Sequence, residues 1–140
     1  MSYGSNGLVN WSTFSQLRAQ LGAEFVRILG YFREDGMKSL IAIEEAMRKG
    51  DAAALVRPAH TLKGESLQFG AEPLGLLSEH IEHSARRFVE QQESPENLLQ
   101  DVAKLRPLFS ETINLFERET APVMASAAPR RPVVFGRKAG

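Results

Sequence analysis

Apolar residues recur along this chain at helical spacing in five stretches. Trp11, Phe14, Leu17 and Leu21 step by three, three and four, which places them on one face of a short first helix. Beyond Gly22 a longer stripe runs through Phe25, Leu29, Phe32, Gly36, Leu40, Ile43 and Met47, and predicts a second helix that ends near Gly50. Gly36 is expected to soften it, since glycine costs about 1 kcal/mol relative to alanine in a helix interior. Asp51 predicts the N-cap of a third helix, because its carboxylate can accept from the unpaired amides of a first turn. Leu55, Ala59, Leu62, Ser66 and Phe69 form that helix's inward stripe, with Pro58 predicting a bend and Gly70 a stop. A fourth helix from about Glu72 to near Gln91 carries Leu74, Leu77, Ile81, Ala85 and Phe88. Ser94-Pro95-Glu96 then reads as N-cap, first helical residue and acidic first turn. The last stripe is Leu98, Val102, Leu105, Phe109, Thr112 and Phe116, ending near Thr120 with a kink expected at Pro107.

The fold class that follows is all-α. Strand-like alternation does not recur, there is no internal repeat, and the link between the third and fourth helices is short enough to force an antiparallel pair. The expectation is an antiparallel four-helix bundle over residues 10–120, capped by the short first helix. Residues 1–9 are Gly- and Ser-rich and expected to be flexible. Residues 121–140, with three prolines, five alanines and no stripe, read as a flexible tail.

Composition narrows the function. At 140 residues and 15.5 kDa there is room for one core and not two, and 43% hydrophobic residues suffice to build it. Seventeen basic and seventeen acidic side chains cancel, so no net field draws the chain to nucleic acid or to an anionic membrane. The balance is uneven along the chain: residues 1–120 carry thirteen basic against seventeen acidic groups, and the tail holds Arg130, Arg131, Arg137, Lys138 and no acid. Absence of cysteine removes disulfides, thiolate metal sites and cysteine nucleophiles. With no apolar run of about eighteen residues and no signal-like N-terminus, a cytoplasmic protein is expected.

Of the three histidines, His60 has the most informative surroundings. At about 100° per residue, Leu55, Leu62, Ser66 and Phe69 lie roughly 120° to 180° from His60, whereas Lys63, Gly64 and Leu67 lie within about 60° of it. His60 is therefore expected to face water at mid-helix, as a nucleophile available near neutral pH. Lys63, one turn on, can reach an oxyanion attached to the imidazole. Gly64 leaves room for another molecule to come close, and Leu67 offers apolar contact. The set suggests a surface that presents a histidine to a partner.

His60-Thr61-Leu62-Lys63-Gly64, followed by Phe69-Gly70-Ala71, resembles the signature of histidine-containing phosphotransfer (HPt) domains, and the likeness extends from about Val9 to Phe116. Phe25 to Phe32 resemble the family's second helix, Gly50-Asp51 its turn before the active helix, and Leu77, Ile81 and Glu82 its helical partner. The resemblance implies that His60 is the phosphoacceptor of a phosphorelay, taking the group from an aspartate of a receiver domain and passing it to another. It implies that Lys63 stabilises the phosphoryl group and Gly64 permits docking. The implied partners are response-regulator receiver domains and a hybrid histidine kinase, with Mg²⁺ held by the receiver and no cofactor in this chain, which acts as a monomeric carrier and not as an ATP-dependent enzyme. Glu65 departs from the family's small residue after the glycine; it is expected near the core boundary, to pair with a neighbouring helix or to alter partner choice.

Other readings compete. The same face would serve a non-phosphorylated adaptor that sequesters a receiver or kinase. His80 and His83, with Glu79 and Glu82 beside them, form a candidate metal pair, but both lie off the apolar stripe and no matching set occurs on another helix, so they are read as surface residues. Phe14, Phe25, Phe32, Phe69, Phe88, Phe109 and Phe116 sit at core phase and are read as packing. The basic tail is read as a solvated terminus, with binding of nucleic acid or of another protein as the sharper alternatives.

Overall fold

The computed structural model describes residues 7–127. Helix α1 spans Trp11–Leu21, and a single 3₁₀ turn, Gly22–Glu24, leads into α2, Phe25–Arg48. Helices α3 and α4 span Ala52–Gln68 and Glu72–Glu90, and a second 3₁₀ turn, Glu96–Leu98, opens α5, Leu99–Ala127. Helix α2 packs on α3, α3 on α4, α4 on α5 and α5 back on α2, which closes a four-helix bundle; α1 lies across α2 and α3. The all-α bundle with a capping helix is thus the fold the apolar periodicity predicts.

Two helix starts, those of α1 and α3, follow capping chemistry. Asn10 Oδ1 accepts from the amides of Ser12 and Thr13 at 3.1 and 3.2 Å, and Asp51 Oδ1 accepts from Ala54 at 3.1 Å. Pro58 and Pro107 lie within α3 and α5 and end neither helix. At the end of α3, Gly70 has φ +84°, and the Ala71 amide returns to Ser66 O at 2.9 Å. A Cβ at Gly70 would meet Asn10 O at 2.5 Å, and the Asn10 amide donates to Gly70 O at 2.7 Å, so only glycine fits where α1 is joined to the α3–α4 turn.

The core is built on aromatic rings. Phe32 stacks on Phe69 and Phe14 on Phe116, each with centroids 5.0 Å apart, while Phe14 meets Phe25 edge-on at 5.2 Å. Such pairs contribute about 0.5–1.5 kcal/mol each beyond their buried area. Gly36 has a packing role that its expected softening of α2 did not include: a Cβ there would meet the Phe109 ring at 2.6 Å, so its bare backbone is what admits Phe109 between α2 and α5.

Three boundaries differ from the sequence expectation. The last helix does not open at Pro95 behind a Ser94 cap: Pro95 itself takes the cap position of the 3₁₀ turn Glu96–Leu98, without a side-chain cap, and α5 begins only at Leu99. Leu8 and Val9 are buried against the core, so order extends upstream of Asn10 and residues 7–9 are not a free arm. Helix α5 continues to Ala127, past Thr120 and into the segment read as tail. The rest of the expected flexible ends, residues 1–6 and 128–140 with the basic side chains, lies outside the described residues.

Candidate functional site

The site lies on α3 where it faces α4. Inward burial of Ala52, Leu55, Ala59, Leu62 and Ser66 fixes the helix phase and turns His60 outward, with its side chain 60% exposed. Gly64 is exposed and has nothing within 4 Å of the place a Cβ would take, so the helix surface beside His60 is open backbone. Lys63 is partly covered, because it leans toward α4. Leu67 is exposed but not free-standing: its Cδ2 lies 2.5 Å from where a Cβ on Gly75 would stand, so it rests on the bare backbone of α4. The four residues singled out in the sequence therefore share one face, with Leu67 partly engaged in packing.

The centre of the site is a residue that sequence reasoning did not join to His60. Glu82 of α4 was grouped with the surface histidines and with the helical partner of the resemblance, and it is instead buried, its side chain 4% exposed. His60 Nδ1 donates to Glu82 Oε2 at 2.9 Å, Arg86 Nη2 and Nε donate to the same oxygen at 2.8 and 3.2 Å, and Lys63 Nζ lies 3.3 Å from Oε1. Burial pushes the Glu82 carboxyl up, but the contacts from Arg86, His60 and Lys63 outweigh it and hold the group down to about 2. An ionised carboxylate has no proton to give. The proton in the His60–Glu82 bond therefore belongs to Nδ1, and Nε2 is left facing solvent with its lone pair whenever the ring is neutral.

A signal for Glu82 was present in the spacing. Gly75, Ser78, Glu82 and Ala85 step by three, four and three, forming a seam of small residues on α4 with one acid in it. That seam is buried and lets α3 approach closely.

Glu65 does not pair with a cation. Its Oε1 is buried without a hydrogen-bond partner, and burial, then the negative charge of Asp35 on α2, raise its carboxyl above the ordinary range. His80 and His83 are exposed; His80 Nε2 lies 3.2 Å from Asp101 Oδ2 of α5. The described residues hold no group of three or more His, Cys, Asp or Glu side chains that could share a metal ion, and no helix among them is long and apolar enough to cross a membrane.

The sequence profile of the Hpt domain family matches residues 27–114. Among solved structures, histidine-containing phosphotransfer protein B from Pseudomonas aeruginosa PAO1 is 26% identical and superposes with a TM-score of 0.74, over 84% of this chain and 98% of that one. The HPT domain of a sensor hybrid histidine kinase from Shewanella shares the fold, with a TM-score of 0.68 at 17% identity, over 82% of this chain and 95% of its own. No curated protein matches the sequence significantly.

Proposed function

This chain belongs to the Hpt domain family, and on that premise we propose that it carries a phosphoryl group on His60 Nε2 between receiver-domain aspartates. It is a phosphotransfer domain and not a catalytic kinase domain. The observation that carries the reading is the exposed imidazole held through Nδ1 by a buried, ionised carboxylate.

The chemistry follows from that bond. The Nε2 lone pair attacks the phosphorus of an acyl phosphate on the receiver, the N–P bond forms as the P–O bond to the aspartyl carbonyl breaks, and the aspartate carboxylate leaves with the electron pair. Nδ1 keeps its proton, so the ring becomes cationic, and Glu82 stabilises that charge from 2.9 Å. Lys63, on its flexible stem and only loosely held at 3.3 Å, swings toward the phosphoryl oxygens. Gly64 leaves the receiver's loops space to bring the aspartate within attack distance. In this reading the receiver supplies Mg²⁺, this chain needs no cofactor of its own, and the relay takes place in the cytoplasm. Receiver domains and a hybrid histidine kinase are the partners.

The test is incubation of the chain with a phosphorylated receiver domain. The expected product is an acid-labile, alkali-stable phosphate on this chain that is absent from His60→Gln. Label persisting in that variant would overturn the assignment of His60, and no label on the native chain while it still binds the receiver would overturn the relay and leave the adaptor reading in its place.

A further inference from the structure

We infer that Arg86 is a positioning residue for His60, acting through Glu82 to fix which imidazole nitrogen faces the partner. The inference rests on the relay reading for its purpose but on the geometry alone for its physics.

Glu82 Oε2 takes three donors, two from Arg86 and one from His60, while Oε1 makes no hydrogen bond and faces Lys63 at 3.3 Å. A carboxylate oxygen has two in-plane lone pairs, so these three donors saturate Oε2. The division has a consequence for each cation. Arg86, with its rigid planar fork on Oε2, sets the rotation of the carboxylate about its terminal bond. His60 then meets an acceptor of fixed direction, which an imidazole 60% exposed to water could not impose by itself. Lys63 is kept off Oε2 and pairs instead with Oε1 at the longer distance of 3.3 Å.

The placement of Arg86 is selective. It sits four residues after Glu82 and four before Glu90, so either acid is within reach on the helix surface. The guanidinium turns to Glu82, the buried one, in the orientation with the acid N-terminal to the base that a helix favours. Its side chain is 55% exposed, so an ion pair made for stability alone would contribute little, whereas orientation of a buried acceptor needs only that the fork stay in place.

The experiment is two-bond ¹H–¹⁵N NMR of His60 in the full, unphosphorylated chain, which distinguishes the Nδ1–H from the Nε2–H tautomer of the neutral ring. In the native protein the Nδ1–H form should dominate. Arg86→Gln should raise the Nε2–H fraction roughly three- to tenfold, the worth of about one net hydrogen bond, and Arg86→Lys should restore part of the native ratio. A native tautomer ratio in Arg86→Gln, with an unchanged circular dichroism spectrum, would overturn the inference, as would a lysine variant no better than the glutamine one. Because the readout precedes any phosphorylation, a tautomer shift in a chain that takes no label would sink the relay reading and leave this one standing.

Discussion

Replacing Glu82 by glutamine keeps the side chain's shape and removes its charge, and the resulting loss of stability should depend on pH in a defined way. The carboxyl has an ordinary value of 4.5 and is held at about 2 in the bundle. At about 1.4 kcal/mol per tenfold change in proton affinity, that difference corresponds to about 3 kcal/mol at neutral pH. Glu82 itself is buried, but His60 and Arg86 are more than half exposed, and screening of those partners by water reduces the expected loss to about 2 kcal/mol. The sign follows from the direction of the shift. A carboxyl depressed on folding stabilises fully above its unfolded value of 4.5, and the contribution fades as pH falls through about 2. Urea unfolding of the native chain and of Glu82→Gln at pH near 7 should give midpoints about 1–2 M apart, for a slope of about 1–2 kcal/mol per molar. The gap should narrow steadily below about pH 4.5. Midpoints that coincide at neutral pH, or a gap as wide at about pH 3 as at about pH 7, would show that the buried carboxylate is not stabilised by its three neighbours.

Two further outcomes are expected. Lys63→Ala should slow phosphoryl transfer by about tenfold, equivalent to roughly 1.4 kcal/mol at the transition state, with a melting curve shifted by less than about 1 kcal/mol because Glu82 keeps His60 and Arg86; single-turnover transfer and circular dichroism measure the two. Gly70→Ala should cost about 2–3 kcal/mol, since alanine must adopt φ near +84° and its Cβ would press on Asn10 O, and thermal denaturation should show a drop of about 10 °C.

What the sequence made legible was what a single helix encodes by itself. The apolar stripes of α2 to α5 and the cap at Asp51 are local, and the outward phase of His60, Lys63 and Gly64 follows from the inward residues of the same helix. Features that depend on a second element were hidden. Leu8 and Val9 are two apolar residues with no period to display, and only the assembled core buries them. Gly36 reads as a weak point until Phe109 of α5 is seen to occupy the space its side chain would take. Ser78 and Thr120 are polar positions inside the core, tolerated because each hydroxyl donates to a carbonyl four residues earlier, a bond that apolar periodicity does not register.

The acid at the heart of the site shows the same limit in its sharpest form. Along α4, Glu82 is one of four titratable residues within five positions, with Glu79, His80 and His83, and that company hides its burial. Its helix phase says otherwise, since it stands about 40° from Ser78 and about 20° from Gly75, both of them buried small residues. That phase alone identifies a charge that must be paired, because an isolated carboxylate in a seam of small side chains would be driven to protonate. It does not identify the partner. His60 and Lys63 lie one turn apart on α3, and their reach to Glu82 is set by the close approach that Gly75 and Ser78 permit between the helices. The tautomer of the imidazole, and with it the nitrogen that the proposed relay would present to a receiver, is therefore set at the α3–α4 interface, and a change to the small residues of that seam should alter the chemistry at His60 without touching the histidine or its signature.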